Sequence, residues 1–220
     1  YKNRFANPAD FRFFIVGNFD EAELERLALH YLASLPTSSE QEVQRDDGRR
    51  RQEGEFRKTV YAGKEEKARV RLTWHGHLEA DWEVRNHFYL TEKVLQKNLR
   101  ESLREDLGGV YTISVNTTTS SFPLPAYSLT VEFGCDPKRV DELVEAVHTE
   151  VKRIQKEPIS QSDLETFNNQ DLKSREKKEQ TDSFWLSAIS RTVYRGEDPV
   201  DILKYEDRLE GRTVEDVQNM

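Results

Sequence analysis

The most informative run in the sequence is Leu103-Arg104-Glu105-Asp106-Leu107-Gly108-Gly109-Val110-Tyr111. Upstream of it, from about Asp81 to Asp106, apolar residues recur at helical spacing, at Val84, Phe88, Leu95, Leu99 and Leu103. The two adjacent glycines allow a sharp reversal of the chain, because glycine adopts backbone conformations that other residues avoid. The run therefore predicts a long helix, a tight turn and a strand that opens with a tyrosine.

Further strands and helices are predicted on both sides of this turn. Apolar runs and alternating patterns predict strands at residues 11–16, 56–62, 68–75, 110–116 and 126–133. Helical spacing predicts helices from Asp20 to Pro36, after Asp136-Pro137, from Ser160 or Ser162, and through most of the remaining chain. This order predicts an α+β fold with an antiparallel or mixed sheet covered by helices.

The same patterns predict the organisation of the chain. Residues 1–220 are expected to form one domain, with a sheet-and-helix core at about 1–158 and a helical extension at about 159–220. The polar stretch at residues 37–54 is predicted to be an exposed loop. Because the sequence starts at Tyr1 and stops just after a helix-start pattern at Thr213, we expect the domain to be cut from a longer polypeptide.

Composition argues against several classes of protein. A net charge of -8 over 220 residues would repel phosphate backbones, so nucleic-acid binding is not expected. No window approaches the roughly 18 consecutive apolar residues of a membrane helix, so no membrane span is predicted. The lone Cys135 follows an apolar strand and is predicted to be a structural thiol.

The histidines do not form a recognisable zinc motif. Neither H-E-x-x-H nor H-x-x-E-H occurs, and His75 and His77, with Glu79 nearby, share strand spacing without a confirmed third ligand. These two histidines are therefore interpreted as edge-strand or surface residues. Serine-hydrolase, nucleotide-binding and redox motifs are also missing from the sequence.

Several ordered motifs resemble the insulinase/pitrilysin family of zinc metallopeptidases. In that family a helix ending in Leu-Arg is followed by a glycine-containing turn and a tyrosine seven positions after the arginine, which is the spacing of Arg104 and Tyr111. Similar motifs lie along the rest of the chain, at Asn7-Pro8-Ala9-Asp10-Phe11, Val16-Gly17-Asn18-Phe19-Asp20, Tyr31-Leu32-Ala33-Ser34-Leu35-Pro36, Asp136-Pro137-Lys138-Arg139-Val140-Asp141-Glu142 and Ile159-Ser160-Gln161-Ser162-Asp163-Leu164.

The resemblance implies an arrangement for the parent protein. Family members contain four homologous α+β domains in two halves around a chamber, with the H-x-x-E-H motif in the first domain. Since this chain lacks that motif, the resemblance places it among the other three domains. The spacing from Arg104 to Tyr111 and the helical tail around Phe184-Trp185-Leu186 look most like the last domain of a bacterial zinc protease, with the second domain as the alternative placement. Zinc would then be bound by another domain of the same polypeptide and not by this segment, and the enzyme would be periplasmic or located in the cell envelope.

The resemblance also implies roles for two residues. Tyr111 would donate a hydrogen bond to the scissile carbonyl oxygen, and Arg104 would hold the substrate backbone or orient Tyr111. From the residues alone, Arg104 could equally form ordinary ion pairs with neighbouring carboxylates, and Tyr111 shares strand parity with Ile113 and Val115, which suits a tyrosine packed in the sheet.

The predicted function is substrate positioning in a zinc endopeptidase that hydrolyses peptide bonds. Peptide substrates would add to a sheet, and residues 110–117 could flank the groove that holds them. The alternative function is a catalytically inactive scaffold or partner subunit of the same fold. An autonomous peptide-binding module is a third possibility, which would require the chain to be complete.

Overall fold

The computed structural model describes residues 5–38 and 45–218, apart from the side chains of residues 105 and 106. Its strands are β1 (Ala68–Gly76), β2 (Val110–Ser120) and β3 (Ala126–Cys135). Its α-helices are α1 (Glu21–Tyr31), α2 (Trp82–Leu99), α3 (Val140–Ile154), α4 (Gln161–Glu179), α5 (Asp182–Tyr194) and α6 (Tyr205–Glu210). A π-helix, Arg100–Asp106, continues α2, and short 3₁₀ helices precede α3 and α6. The predicted α+β class is confirmed.

The chain divides into two compact units. One comprises residues 1–47 and 172–208, and the other comprises residues 48–171 and 209–220. The second unit contains the whole sheet, α2, α3 and α4 up to Asp171. The proposal that all 220 residues act as one domain of a longer chain stays a prediction.

The sheet of the second unit is antiparallel, with the order β1-β3-β2. One face of the central strand β3 is fully buried through Val131, Phe133 and Cys135. This face packs against helix residues that are likewise excluded from solvent, among them Leu95, Leu99, Leu143 and Val147. The other face of the sheet carries polar side chains. Alternation along each strand thus separates a helix-covered apolar face from a polar face.

Cys135 ends β3 inside this core. Its side chain is fully buried, and burial, reinforced by the nearby Asp136 carboxylate, raises the pKa of the thiol. A thiol that stays protonated is a poor nucleophile. The structural role predicted for Cys135 fits this environment.

Within the second unit, a buried polar cluster joins the segment after α6 to α2 and α4. The guanidinium of Arg212 is 1% exposed and donates to Asp171 Oδ2 at 2.8 Å and to Asn168 Oδ1 at 2.9 Å. Lys93 of α2 also pairs with Asp171. Because a buried charge is tolerated only when it is paired, these contacts hold Arg212 and the residues around it against α2 and α4.

The strand predicted at residues 11–16 is wrong. In the first unit these residues form no strand, and Phe11, Phe13 and Ile15 are all exposed. An apolar run forms a strand only when a neighbouring strand satisfies its N–H and C=O groups, and the described part of the first unit contains none. Instead, side chains between residues 13 and 32 line a groove of about 420 Å³. Its lining is apolar at Phe13, Ile15, Phe19, Leu24, Ala28 and Leu32 and acidic at Glu21 and Glu25.

The structure also corrects a second predicted strand and the predicted end of the first helix. Residues 56–62 are not a strand, and Phe56, Val60 and Tyr61 are largely exposed, since no described strand pairs with them. Helix α1 begins at its predicted N-cap, Asp20, but ends at Tyr31 and not at Pro36. The predicted loop at residues 37–54 is irregular where it is described, and residues 39–44 lie outside the described part of the chain.

Candidate functional site

The turn between α2 and β2 is built from a widened helix end. After Leu99 the helix continues in π form, with Leu107 N–H donating to Ser102 O at 3.1 Å. Gly109 N–H then donates to Leu103 O at 2.9 Å, and Gly108 takes a left-handed φ of 56°. These bonds satisfy carbonyl groups that a helix end would otherwise leave free. Local π-helical turns are frequent at functional sites.

Gly109 brings this turn into close contact with α3. A Cβ atom at Gly109 would lie 2.7 Å from Leu143 Cδ2 and 3.0 Å from Arg139 Nη1. Arg139 itself donates to Leu107 O at 3.2 Å and forms a two-pronged ion pair with Glu142. The turn is therefore held against the start of α3 both by packing and by a hydrogen bond.

Tyr111 occupies a β-bulge at the start of β2. Val110 lies opposite Cys135 and Thr112 lies opposite Gly134, so Tyr111 is the extra residue between the two pairs. An extra residue reverses the alternation of side chains. Val110 consequently takes the core position, whereas Tyr111 is 68% exposed. The alternative of a tyrosine packed within the sheet is therefore wrong.

The ring of Tyr111 lies on the polar face of the sheet, over Gly134. A Cβ atom placed on Gly134 would be 3.9 Å from Tyr111 Cδ2, which is an ordinary van der Waals distance. No hydrogen bond joins the Tyr111 hydroxyl to another residue in the described ranges. The phenol is thus positioned by backbone geometry, and its O–H remains available to an external acceptor.

Arg104 lies in the π-helical segment on the other side of the same turn. Its side chain is exposed, and no ion pair or hydrogen bond joins it to any side chain that the structure describes. Glu101, a carboxylate three residues before Arg104, instead has its Oε1 atom 3.9 Å from Lys97 Nζ. Arg104 and Tyr111 therefore flank the turn at residues 107–109, and both present polar groups to solvent.

The outer edge of β2 is covered by side chains of α2. Gln96 Oε1 accepts from Val115 N–H at 2.8 Å, and Gln96 Nε2 donates to Ile113 O at 3.2 Å. One helical turn earlier, Glu92 Oε2 accepts from Thr117 N–H at 2.6 Å. A peptide strand could pair with residues 113–117 only by displacing these bonds, so strand addition is not expected at this edge.

Three charged residues lie beside Tyr111 on the polar face of the sheet. Arg69 Nη2 donates to Glu132 Oε2 at 2.6 Å, and Arg71 pairs with the other oxygen of the same carboxylate. Arg69 and, to a smaller extent, Arg71 hold the pKa of Glu132 below its usual range. The two arginine side chains are 79% and 66% exposed, whereas that of Glu132 is 15% exposed.

The described residues contain no group of three histidine, cysteine or acidic side chains arranged to hold a metal ion. His75 is half-buried near the end of β1, and His77 lies beyond that end and is exposed. Within the described chain, no helix combines the length and the apolar character needed to cross a membrane.

The chain matches a known protein family over most of its length. Residues 1–170 match the family described as the peptidase M16 inactive domain. The chain belongs to this peptidase M16 family. The resemblance to insulinase/pitrilysin zinc metallopeptidases that the sequence predicts is confirmed.

Curated and solved M16 relatives support this membership. The chain is 27% identical over 216 residues to the probable zinc protease PqqL of Escherichia coli, covering 97% of this chain and 23% of the relative. It is 25% identical to a PQQL-like zinc protease of Arabidopsis thaliana, covering 90% of this chain and 22% of the relative. The crystal structure of the periplasmic protease PqqL from Escherichia coli superposes with a TM-score of 0.84 at 26% identity, covering 98% of this chain and 24% of that one. This M16 chain thus spans about a quarter of the length of these relatives.

Sequence reasoning missed much of the surroundings of Tyr111 in this M16 domain. The alternation of Arg69 and Arg71 with apolar residues is visible in the sequence, but their convergence on Glu132 depends on strand register. The bulge at Tyr111 and the covering of β2 by Gln96 depend on three-dimensional contacts with no local sequence pattern.

Proposed function

We propose that this chain is the substrate-positioning domain of a zinc-dependent endopeptidase, with zinc bound by another domain of the same polypeptide. The observation that carries the proposal is the exposed Tyr111, held on a bulge with its hydroxyl free of described partners. The M16 relatives named as zinc proteases, which are about four times as long as this chain, give the proposal its context.

Tyr111 and Arg104 suit different tasks in peptide-bond hydrolysis. Zinc bound in the other domain would supply an activated water for attack on the scissile carbonyl. The neutral Tyr111 hydroxyl would donate a hydrogen bond to the carbonyl oxygen as negative charge grows on it. The Arg104 guanidinium, with several N–H donors, would hold a backbone carbonyl of the substrate or orient Tyr111.

The proposed partners are the other domains of the parent polypeptide and peptide substrates. Placement as the last domain is favoured over the second by the spacing from Arg104 to Tyr111. A periplasmic or envelope location is proposed because the PqqL relative from Escherichia coli is described as periplasmic. The alternative function, an inactive scaffold or partner subunit, takes support from the description of the matched family as an inactive domain.

The proposal is tested with Tyr111→Phe in the full-length polypeptide. Because this change removes only the phenolic hydroxyl, we expect kcat for peptide hydrolysis to fall by about 10² to 10³, the usual effect of losing one oxyanion donor. Turnover of a fluorogenic peptide is the measurement, made after zinc content and thermal stability have been matched to wild type.

Tyr61→Phe is the matched control, since Tyr61 is 95% exposed and lies outside the sheet. This variant should retain wild-type turnover. Equal turnover by wild type and Tyr111→Phe would show that Tyr111 has no catalytic role. If the wild-type polypeptide itself cleaves nothing, the scaffold function replaces the proposal.

A further inference from the structure

We propose that Arg69, Arg71 and Glu132 form a subsite for a carboxylate group of the peptide substrate, next to Tyr111. The proposal rests on the proposed function, because it assigns a substrate class to the same site. It concerns binding of an anionic group and not the bond-breaking step.

The first support is the charge balance of these three residues. Glu132 lies between the two arginines and offers one carboxylate oxygen to each. Two guanidinium groups and one carboxylate leave an excess of one positive charge. The excess is accessible, because Arg69 and Arg71 are mostly exposed while Glu132 is largely buried beneath them. Their remaining N–H donors can bind a second carboxylate in the planar geometry that guanidinium groups favour.

The second support is the position of these residues relative to Tyr111. On β3, Gly134 lies opposite Arg69 of β1 and opposite Thr112 of β2, and the Tyr111 ring lies over Gly134. Adjacent strands are about 5 Å apart, and alternate residues of one strand are about 7 Å apart. Arg69 and Glu132 therefore lie within roughly 10 Å of the tyrosine on the same face. A peptide whose carbonyl oxygen reached Tyr111 could place a carboxylate one to three residues away on the arginines.

The third support is the character of the remaining sheet face. Apart from His75 and Tyr111, the other strand positions on this face are uncharged and mostly small, namely Thr73, Thr112, Ser114, Asn116, Thr118, Ser120, Ala126, Ser128, Thr130 and Gly134. The three strands, all within the described part of the chain, contribute no second carboxylate to this face that would offset the excess charge. A positively charged face on a chain with a net charge of -8 would attract an anionic peptide locally, although the chain as a whole would repel it.

An ordinary cross-strand ion pair would explain only one of the two arginines. One arginine is sufficient to neutralise Glu132, and exposed pairs of this kind contribute little to stability. The second arginine is thus not needed to neutralise the carboxylate, and a ligand carboxylate would give it a partner.

The test measures peptide binding by the full-length polypeptide after zinc has been removed with a chelator, so that peptides remain intact. Four labelled peptides carry either glutamate or glutamine at one position, and either a free or an amidated C-terminus. Fluorescence anisotropy gives each Kd. We expect wild type to bind the carboxylate-bearing peptides about threefold to fivefold more tightly, which is the upper part of the range for an exposed charge pair.

Arg69→Gln is the decisive variant, because it removes the excess charge and leaves Glu132 paired with Arg71. It should abolish the preference, whereas Arg57→Gln, which removes another mostly exposed arginine, paired with Asp141, should retain it. A preference for glutamate alone assigns the subsite to acidic side chains, and a preference for the free C-terminus alone assigns it to the peptide terminus. The wild-type preference should also weaken as salt is raised.

Two results would overturn the subsite. Wild type could bind all four peptides equally, or Arg69→Gln could retain the full preference. Failure of the proposed protease function gives a different result, in which the binding preference persists but the zinc-loaded polypeptide cleaves none of the peptides.

Discussion

At the scale of single residues, Gly108 and Gly109 are adjacent but are required for different reasons. Gly108 has a φ of 56°, and a Cβ atom there would have no neighbour within 4 Å. Gly109 does not have a left-handed φ, but a Cβ atom there would collide with Leu143 and crowd Arg139. Gly108 is needed because its backbone is left-handed, and Gly109 is needed because there is no room for a side chain.

This difference predicts that asparagine destabilises less than alanine at Gly108 and more than alanine at Gly109. Gly108→Ala should lower the free energy of unfolding by about 1 kcal/mol, and Gly108→Asn by less, because asparagine tolerates the left-handed region. Gly109→Ala should cost about 1 to 3 kcal/mol through overpacking, and Gly109→Asn should cost more. Urea unfolding of the four variants measures these changes in the free energy of unfolding. If asparagine were better than alanine at both positions, the assignment of packing strain to Gly109 would be wrong.

Tyr111 shows where sequence reasoning about the candidate site reaches its limit. Its proposed role comes from the family resemblance that its spacing to Arg104 supports, and its orientation could not be predicted from the sequence. Strand parity with Ile113 and Val115 indicates a buried tyrosine, and a single bulged residue reverses that result. A bulge is set by how two strands align, and this information is spread over both strands.

At the scale of elements, α2 stabilises the sheet through polar contacts as well as through its apolar stripe. Glu92 and Gln96 are four residues apart, which is about 6 Å along a helix. The backbone N–H groups that they bind, on Val115 and Thr117, are two residues apart, about 7 Å along a strand. Because these two distances nearly match, helix side chains four residues apart can bind edge N–H groups of β2 that are two residues apart.

Removal of the Gln96 amide should therefore destabilise the sheet. Gln96→Leu keeps the approximate volume but leaves the N–H of the buried Val115 without its acceptor, which should cost about 1 to 3 kcal/mol. Gln161→Leu, on the exposed first turn of α4, is the matched control and should change stability by less than about 0.5 kcal/mol. Urea unfolding measures both variants, and equal effects would show that the edge contact contributes nothing.

The elements that sequence reasoning predicted best are those whose signals are local. β1, β2, β3 and α3 lie close to their predicted positions, because alternation, helical spacing and the Asp136-Pro137 start are features of short segments. The strands predicted at residues 11–16 and 56–62 are wrong. An apolar run indicates that a segment could form a strand, but not that another strand lies beside it to pair with. The change of α2 into a π-helix at Arg100 has no local signal that we can identify.

At the scale of the whole molecule, burial is uneven between the two compact units. In the first unit, α1 and α5 contain no fully buried residue. In the second, β3 is paired on both sides and supplies three of the most buried side chains. Local stability follows the density of buried apolar contacts and of protected hydrogen bonds.

Hydrogen exchange of the 220-residue chain should reveal this difference. Amides of β3 should exchange most slowly, near the limit set by global unfolding, and amides of α1 and α5 should exchange at least about tenfold faster. Exchange followed by mass spectrometry of peptic fragments is the measurement. Equal protection of α1 and β3 would show that burial within the chain does not determine its local stability.

The bulge at Tyr111 also bears on how such domains can diverge. Because Val110 fills the core position and Tyr111 projects from the sheet, a mutation of the tyrosine would, under the proposed function, remove a catalytic hydroxyl without opening a cavity. Loss of activity and loss of folding are then separate evolutionary events. A duplicated gene could lose the tyrosine in one step and still encode a well-folded domain, so active and inactive members of one lineage can share nearly the same architecture.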